Sequence, residues 1–135
     1  MLCSQLRDLR GLVPILRSLA PQDAQRWFRA NALRPAALHA PMIAAGFVAA
    51  VRAAEYSEAR SERRYALVAA AGVTAHAAIT ATIHVPTNGR LLVGPRSSTE
   101  VKMLLRRWIR WHLLRTAALT VGEAAALAAL AQHRE

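Results

Sequence analysis

The sequence predicts an all-α fold, a transmembrane helical bundle of about three spans preceded by a short N-terminal interfacial helix. Apolar residues make up 54% of the 135 residues and charged residues 19%, against about 45–50% and 25% in soluble domains. The charges are segregated, so that long stretches of the chain carry none. Alanine, the best helix former, supplies 30 residues and no strand pattern interrupts them. Since this length suits one domain, residues 1–135 are treated as a single membrane domain.

Three apolar runs define the predicted spans, at about residues 35–54, 65–84 and 109–131. Residues 65–89 carry no charge over 25 positions, and a spanning helix needs roughly 17–25 apolar residues. Residues 35–51 are also uncharged, with a kink expected at Pro41. Residues 116–131 contain only Glu123 as a charge. A soluble helix as long as the second run would show a charged face, so these runs favour a membrane.

A short helix is predicted over residues 21–33, before the first span. Pro21 suits a first helical turn, and Pro35 forces a stop or a kink. Trp27 and Phe28 lie beside arginines, which fits an interfacial anchor with both rings at headgroup level. An ordinary amphipathic surface helix explains the same pattern, and both interpretations stay open.

A turn is predicted at residues 85–89, after the second span. Pro86 lacks a backbone donor, and the Asn-Gly pair at residues 88–89 is typical of a turn. A loop then leads to a third helix over about residues 100–132. That helix enters the membrane near Trp108.

The net charge of +10 would suggest nucleic acid in a soluble protein, but here the basic residues lie between the apolar runs. With three crossings, 13 Lys and Arg residues share one side and 5 the other. The positive-inside rule then places the loop of residues 90–107 in the cytoplasm of a multi-pass cell-membrane protein. No motif that reads RNA or DNA accompanies the charge. The single cysteine, Cys3, excludes a disulfide framework and a CxxC metal site.

Two polar groups of residues lie on these apolar helices. His76, Thr80 and His84 follow the i, i+4, i+8 spacing of one helix face, and Asn88 continues that line. Because polar residues in a membrane face a bundle interior or a polar cavity, we expect this face to line a pocket.

The second group, Trp108, Trp111, His112 and Arg115, also shares one helix face. Glu123, 11 residues beyond His112, falls on the same stripe about three turns deeper. If both stripes face inward, they meet in a polar pocket.

Each of these residues also has a purely structural interpretation. His76 fits a neutral, hydrogen-bonded core histidine, and Trp111 an aromatic belt. Arg115 can extend to the interface, and Thr80 can bond back to its own helix. Histidines at i and i+8 are about 12 Å apart along a helix, too far to share one metal ion. The sequence therefore predicts neither a metal site nor a cofactor.

Several stretches of the sequence resemble a known family. They are Leu-Val-Pro at residues 12–14, Leu-Ala-Pro at 19–21, Val-Pro-Thr-Asn-Gly-Arg-Leu at 85–91 and Arg-Trp-Ile-Arg-Trp-His-Leu-Leu-Arg-Thr at 107–116. Their order over roughly residues 11–131 is similar to that of the anthrone-oxygenase-like membrane family, many of whose members are bacterial. Val-Pro-x-Asn and Trp-x-x-x-His-x-x-Arg are its most specific elements.

The chain departs from the family's pattern in two places. Members have four membrane helices, and only ten residues precede the segment that matches residues 11–17, so we expect the first helix to be missing or shortened. His112 stands where asparagine or histidine is expected. Leu113 replaces a histidine common at that position.

The resemblance implies a cofactor-independent oxygenase that acts on a flat polyphenolic anthrone. A base removes the activated ring-methylene proton, and the carbanion reduces O2 directly. Carried over to this chain, His112 or His84 would be the base. Asn88 and Arg115 would hold the enolate oxygen, and Trp108 would stack on the ring. Trp111, His76 and Glu123 complete the expected substrate pocket.

Three functions remain open at this point. The first is this oxygenase, and the second is a non-catalytic membrane protein that binds a lipid, a quinone or a partner helix through the same pocket. The third is a soluble basic protein that binds nucleic acid. We expect a hydrophobic aromatic ligand, membrane lipid around the chain, no nucleic acid, and a homo-oligomer that covers the pocket.

Overall fold

The computed structural model describes residue 6 and residues 8–31, 36–94 and 96–132, with the backbone alone for residues 8 and 36–40. Every regular element in these residues is a helix, which confirms the all-α class. A π-helical turn, Asp8–Leu12, leads into the first α-helix, and a second, Thr80–His84, joins α4 to α5 without a break. The helices are α1 (Val13–Ser18), α2 (Pro21–Asn31), α3 (Ala36–Tyr56), α4 (Arg60–Ile79), α5 (Val85–Leu92) and α6 (Ser98–Gln132).

Two continuous helical stretches among the described residues, Arg60–Leu92 and Ser98–Gln132, are long and apolar enough to cross a membrane. They contain the predicted second and third spans and extend beyond them at both ends. The predicted first span coincides with most of α3, while Cys3, residue 35 and the end of the helix predicted at 21–33 lie outside the described residues. The number of three spans and the cytoplasmic side of the loop stay predictions.

The turn predicted at residues 85–89 is wrong, because the chain remains helical through Pro86 to Leu92. Val85 donates its backbone N–H to the carbonyl of Thr80, five residues earlier, which is the π-helical pattern. This wider turn comes directly before Pro86, which has no N–H to donate and whose ring clashes with the preceding turn of a regular α-helix. Pro86 itself lies in the first turn of α5, where proline is tolerated.

Helices α4 and α6 are in close backbone contact at Gly72 and Gly122. A Cβ atom on Gly72 would lie 2.7 Å from the carbonyl oxygen of Ala118 and 2.8 Å from the Cα of Gly122. Only glycine at residue 72 therefore allows this backbone-to-backbone contact. Because α3 packs mainly against α4, α4 is the central helix of the bundle.

The N-terminal helices α1 and α2, which we call the cap, cover the first half of α6. One face of α2, formed by Ala24, Gln25 and Phe28, is buried. The headgroup anchor predicted for Phe28 is wrong, because its ring is 2% exposed and belongs to the protein core. Trp27 is half-buried against the same core, and an interfacial position of this amphipathic helix stays a prediction. The core beneath the cap consists of Val13, Leu16, Ala24, Phe28, Leu91, Val101, Leu104, Leu105, Trp108 and Ile109.

Candidate functional site

A polar cluster lies between the α4–α5 stretch and α6, beneath the cap. Its members, which we call the histidine cluster, are His76, Thr80, His84, Asn88, Trp108, His112 and Arg115. The three histidines are at most 2% exposed, and no other side chains of comparable polarity are so completely buried in the described residues except Thr87. The structure thus brings together seven of the residues to which the sequence pointed.

The π-helical turn aligns the first polar face with α6. In an α-helix each step of four residues advances the side chain by about 40° around the axis, so His76 and Asn88 would drift apart in direction. The π turn holds more residues per turn, so a step of four residues within Thr80–His84 rotates the side chain by less than one full turn. This rotation offsets the 40° that each α-helical step of four residues adds. His84 is buried and Asn88 half-buried against α6 as a result.

Arg115 fixes the orientation of His112. Its Nε and Nη2 atoms lie 3.2 and 2.9 Å from Nδ1 of His112, while its Nη1 donates to the hydroxyl of Thr80 at 3.2 Å. A guanidinium has only donors, so Nδ1 of His112 must accept. In a neutral imidazole the proton then resides on Nε2, and His112 presents an N–H from that atom.

Trp108 connects His112 to Asn88. Its ring stacks on the His112 ring, with centroids 4.8 Å apart and planes 8° apart. Its Nε1 donates to Oδ1 of Asn88 at 3.0 Å. Because an indole only donates, the Asn88 oxygen is identified as the acceptor, and the Asn88 amide nitrogen keeps its two N–H groups for other acceptors. One face of Trp108 is covered by His112, so stacking on a substrate, which remains a prediction, is limited to the other face.

His84 occupies the most unusual position in the cluster. Its ring is 2% exposed and lies edge-on to Trp108 at 5.3 Å, with the His112 ring 6.1 Å away. Neither ring nitrogen makes a hydrogen bond of normal geometry to any of the described residues, although the backbone of Trp111 lies within reach of a weak one. Leaving a buried polar group unsatisfied costs about 1–3 kcal/mol, and such a group in a native protein calls for an explanation.

His76 has a structural contact. Its Nδ1 lies 3.3 Å from the backbone carbonyl oxygen of Arg115, which can only accept, so Nδ1 is the donor. This bond ties α4 to the turn of α6 that carries the guanidinium. The substrate-binding role predicted for His76 stays a prediction.

The side chains of two predicted site residues lie apart from the cluster, although the backbone of Trp111 is near the His84 ring. Trp111 is half-buried on α6, next to His112 in sequence. Glu123 is also half-buried, but it lines a separate cleft together with Glu62, about 16 Å along α6 from His112. Sequence spacing put Glu123 on the same helix face as His112. It could not show that Leu119, which is fully buried, separates these two residues.

Sequence reasoning missed two residues that position the cluster. Phe28 of α2 meets Trp108 edge-on at 5.9 Å, and so covers the aromatic side of the site. Gln25, 4% exposed, donates to the carbonyl of Leu91 at 2.9 Å and to that of Gly94 at 3.1 Å. The available signal was the spacing of Ala24, Gln25 and Phe28, which share a helix face; it could not show which helix they contact.

The donor set does not resemble a metal centre. Across residues 8–31, 36–94 and 96–132, no group of three or more His, Cys, Asp or Glu side chains is arranged to hold a metal ion. The cluster offers imidazole, amide and guanidinium groups in an apolar surrounding.

Comparison with known families assigns the chain. A family model described as anthrone oxygenase matches residues 25–127, about three quarters of the sequence. The chain belongs to the anthrone oxygenase family. All members of the histidine cluster, as well as Gln25 and Phe28 of the cap, fall inside the matched region. No curated protein and no solved structure matches the chain. The family, together with the two apolar helices, indicates a membrane protein.

Proposed function

We propose that this chain is a membrane-embedded oxygenase that oxidises an anthrone, a flat polycyclic phenol, with O2 and without a cofactor. The observation that carries the proposal is His84, a buried imidazole whose two nitrogens are free of normal hydrogen bonds to the described residues. A general base must have a lone pair within reach of the proton that it removes. Family membership supports the same reaction class.

The reaction balances without an external reductant. The base takes one proton from the ring methylene, and the resulting enolate carbanion gives electrons to O2. Conversion of the methylene to a ketone releases four electrons, which are the four that O2 accepts. One oxygen atom becomes the new ketone oxygen, and the other leaves as water with the two methylene hydrogens.

His84 serves as the base and His112 as a hydrogen-bond donor. The lone pair at Nδ1 of His112 already accepts from Arg115, and the proton on Nε2 leaves that atom no lone pair to offer. At His84 the only hydrogen-bonding group within reach among the described residues is the backbone carbonyl of Trp111, which can only accept and so leaves one ring nitrogen with its lone pair. In this division of roles Arg115 acts through His112 as a positioning residue.

The developing enolate oxygen needs donors in a site that excludes water. Two such donors are the Nε2–H of His112 and the amide N–H groups of Asn88. The acceptor atom of each residue, Nδ1 of His112 and Oδ1 of Asn88, is already engaged by Arg115 and Trp108. Hydrogen bonds to a charged oxygen are about twice as strong as neutral ones. Both donors therefore stabilise the enolate more than the neutral ketone.

Access to the cluster requires movement of the cap. His84 and His112 are almost inaccessible, and Phe28 lies against Trp108 on the cap side. Helix α2 is held there by the bonds from Gln25 and by Arg29, whose Nε donates to the carbonyl of Leu91 at 3.3 Å. Opening of α2 admits a planar substrate edge-first, and its closure removes water.

Oxygen uptake tests the proposal. We expect detergent-purified protein to consume O2 with an anthrone well above the autoxidation rate. His84→Gln should lower kcat at least about 100-fold, because general base catalysis contributes roughly 10²–10⁴. The matched control is Thr82→Ala, an exposed residue whose hydroxyl bonds only within its own helix, to Ala78. Its kcat should be unchanged.

Two results would contradict parts of the proposal. No uptake above background from folded protein would exclude the anthrone reaction and favour a binding function. Full turnover in His84→Gln, with loss in His112→Ala, would assign the base to His112 instead. Near-ultraviolet circular dichroism of the tryptophans verifies that each variant is folded.

A further inference from the structure

The outer side of α6 changes from basic to apolar at one point along its length. Four of the five exposed residues at positions 102–110 are basic, and we call them the basic face: Lys102, Arg106, Arg107 and Arg110. From position 113 to position 130 every exposed residue is uncharged. The larger ones include Leu113, Leu114, Val121 and Leu127, which are 46–67% exposed. The change therefore falls between Arg110 and Leu113, within one helical turn.

The length of the uncharged part of this surface fits a bilayer. From Leu113 to Leu130 it extends about 26 Å along the helix axis, close to the roughly 30 Å of the hydrocarbon region. The basic face continues for about 12 Å in the other direction, from Arg110 to Lys102. It therefore begins at the level where lipid headgroups adjoin the hydrocarbon.

The side chains of the basic face form no ion pair with any of the described residues. Two carboxylates at this end of the bundle have described side chains, and both are paired with other arginines. Asp23 pairs with Arg26. Glu100 pairs with Arg90 at 2.9 Å and with Arg96 at 3.1 Å. The charges of the basic face are therefore available to an anion outside the chain.

The opposite end of the bundle is almost neutral. It contains the connection between α3 and α4, which lies beside the last turns of α6, because Glu62 and Leu130 line one cleft. Residues 52–64 include four arginines and three glutamates, whereas residues 90–110 include six basic residues and one acid. The excess of positive charge is thus concentrated at the end that carries the cap.

We infer that the basic face binds the headgroups of anionic phospholipids. The inference rests on the membrane location in the proposed function and not on the oxygenase reaction. Basic residues beside a membrane surface attract anionic lipids, and the planar guanidinium of arginine matches the geometry of a phosphate. Nucleic acid carries phosphates as well, but the uncharged surface that begins at Leu113 would place a lipid directly beside Arg110.

The basic face and the histidine cluster lie on different sides of α6. His112 is buried and comes two residues after Arg110, about 3 Å further along the axis. The cluster is therefore just inside the hydrocarbon boundary, and the cap, which covers the same half of α6, is at the level of the headgroups. A lipid on the basic face does not occupy the substrate pocket.

Quenching of tryptophan fluorescence by brominated phospholipids tests the inference. All three tryptophans, Trp27, Trp108 and Trp111, are in the cap or the first half of α6. The full chain is reconstituted into phosphatidylcholine bilayers with increasing fractions of brominated phosphatidylglycerol or brominated phosphatidylcholine. One basic residue at an anionic surface changes binding roughly fivefold, so we expect phosphatidylglycerol to be preferred at least about fivefold. The preference should fall at about 1 M salt, where charges are screened within about 3 Å.

Variants test the location of the binding surface. Replacement of the whole basic face by glutamine should remove the preference: Lys102→Gln, Arg106→Gln, Arg107→Gln and Arg110→Gln. The matched control replaces three exposed arginines at the opposite end and should keep the preference: Arg60→Gln, Arg63→Gln and Arg64→Gln. Near-ultraviolet circular dichroism verifies that both variants are folded.

Several results would overturn the inference. They are equal quenching by the two lipids, a preference that salt does not reduce, a preference retained without the basic face, and an equal loss in the control. Equal quenching together with saturable binding of a single-stranded oligonucleotide would assign the basic face to nucleic acid. A chain that does not insert into the bilayers would overturn the membrane location as well. Since O2 uptake is measured separately, its absence would leave a lipid preference intact, and the two proposals can fail independently.

Discussion

Gly72 and Gly122 touch through their backbones where α4 crosses α6, and a side chain at residue 72 has no room. A Cβ there would lie 2.7 Å from a backbone oxygen, whereas the shortest contact of a Cβ at residue 122 would be 3.2 Å. Neither neighbour is a flexible side chain that could move away. The crossing therefore fixes the distance between the two helices that carry the histidine cluster.

Alanine substitutions at the glycines should have graded effects. Gly72→Ala should lower the free energy of unfolding by about 1–3 kcal/mol, the usual cost of overpacking, and Gly122→Ala by less. Gly46→Ala, which meets open space, should be neutral or stabilising, since alanine favours a helix by up to about 1 kcal/mol. Thermal unfolding in detergent measures the series. Equal Tm values for all three would contradict the close approach.

Removal of the Arg115 guanidinium should leave His112 without a single preferred tautomer. In the unmodified protein we expect the ¹⁵N spectrum of His112 to show an unprotonated Nδ1 and a protonated Nε2, because Arg115 only donates. Arg115→Met should give a mixture of the two tautomers and a lower kcat. A single unchanged tautomer in the variant would show that other contacts determine it. Thr120→Ala, whose hydroxyl bonds only to Thr116 in its own helix, is the control.

Asn88 and Trp108 should be energetically coupled. Asn88→Ala leaves the buried indole N–H without its acceptor and should cost about 1–3 kcal/mol. Trp108→Phe removes that donor, so the double variant should lose less than the sum of the two single changes. A double-mutant cycle by chemical denaturation should give a coupling of about 0.5–3 kcal/mol. Strict additivity would mean that the bond contributes nothing to stability.

The cap should be released when Gln25 is shortened. Gln25→Ala removes two hydrogen bonds to the end of α5, and amide hydrogen exchange within α2 should become faster while exchange in α4 is unchanged. Asn31→Ala is the matched control, because Asn31 is exposed and its amide donates only within α2, to the carbonyl of Trp27. If both variants exchange alike, the cap is held by Phe28 and its apolar neighbours alone.

The sequence was sufficient to predict helices α2, α3, α4 and α6, because apolar run length and helical spacing are local properties, whereas the short helix α1 was not predicted. The turn at Val85 to Gly89 was mispredicted for the same reason. Proline and Asn-Gly signal a turn locally, and only the π-helical hydrogen bond between Val85 and Thr80 makes continuation possible. That bond depends on the arrangement of a whole turn and leaves no mark in composition.

The candidate site was partly accessible from the sequence. Spacing put His112 and Arg115 on one face, and the structure shows their contact. Contacts between helices, such as that from Trp108 to Asn88, require the relative rotation of the helices, which spacing within one helix does not determine. The contact of Phe28 with Trp108 likewise joins two helices, and spacing within α2 could not predict it.

The π-helical turn holds one residue more than a regular α-helical turn, at a point between the two halves of the first polar face. A homologous chain with one residue fewer between Thr80 and His84 would close this segment as a regular α-helix. Since five residues of a π-helix and four of an α-helix cover roughly the same rotation and rise, Asn88 would still face Trp108. Chains with the same cluster therefore need not have the same number of residues between His76 and the Val-Pro-x-Asn element, and an alignment of them should allow a gap at this point.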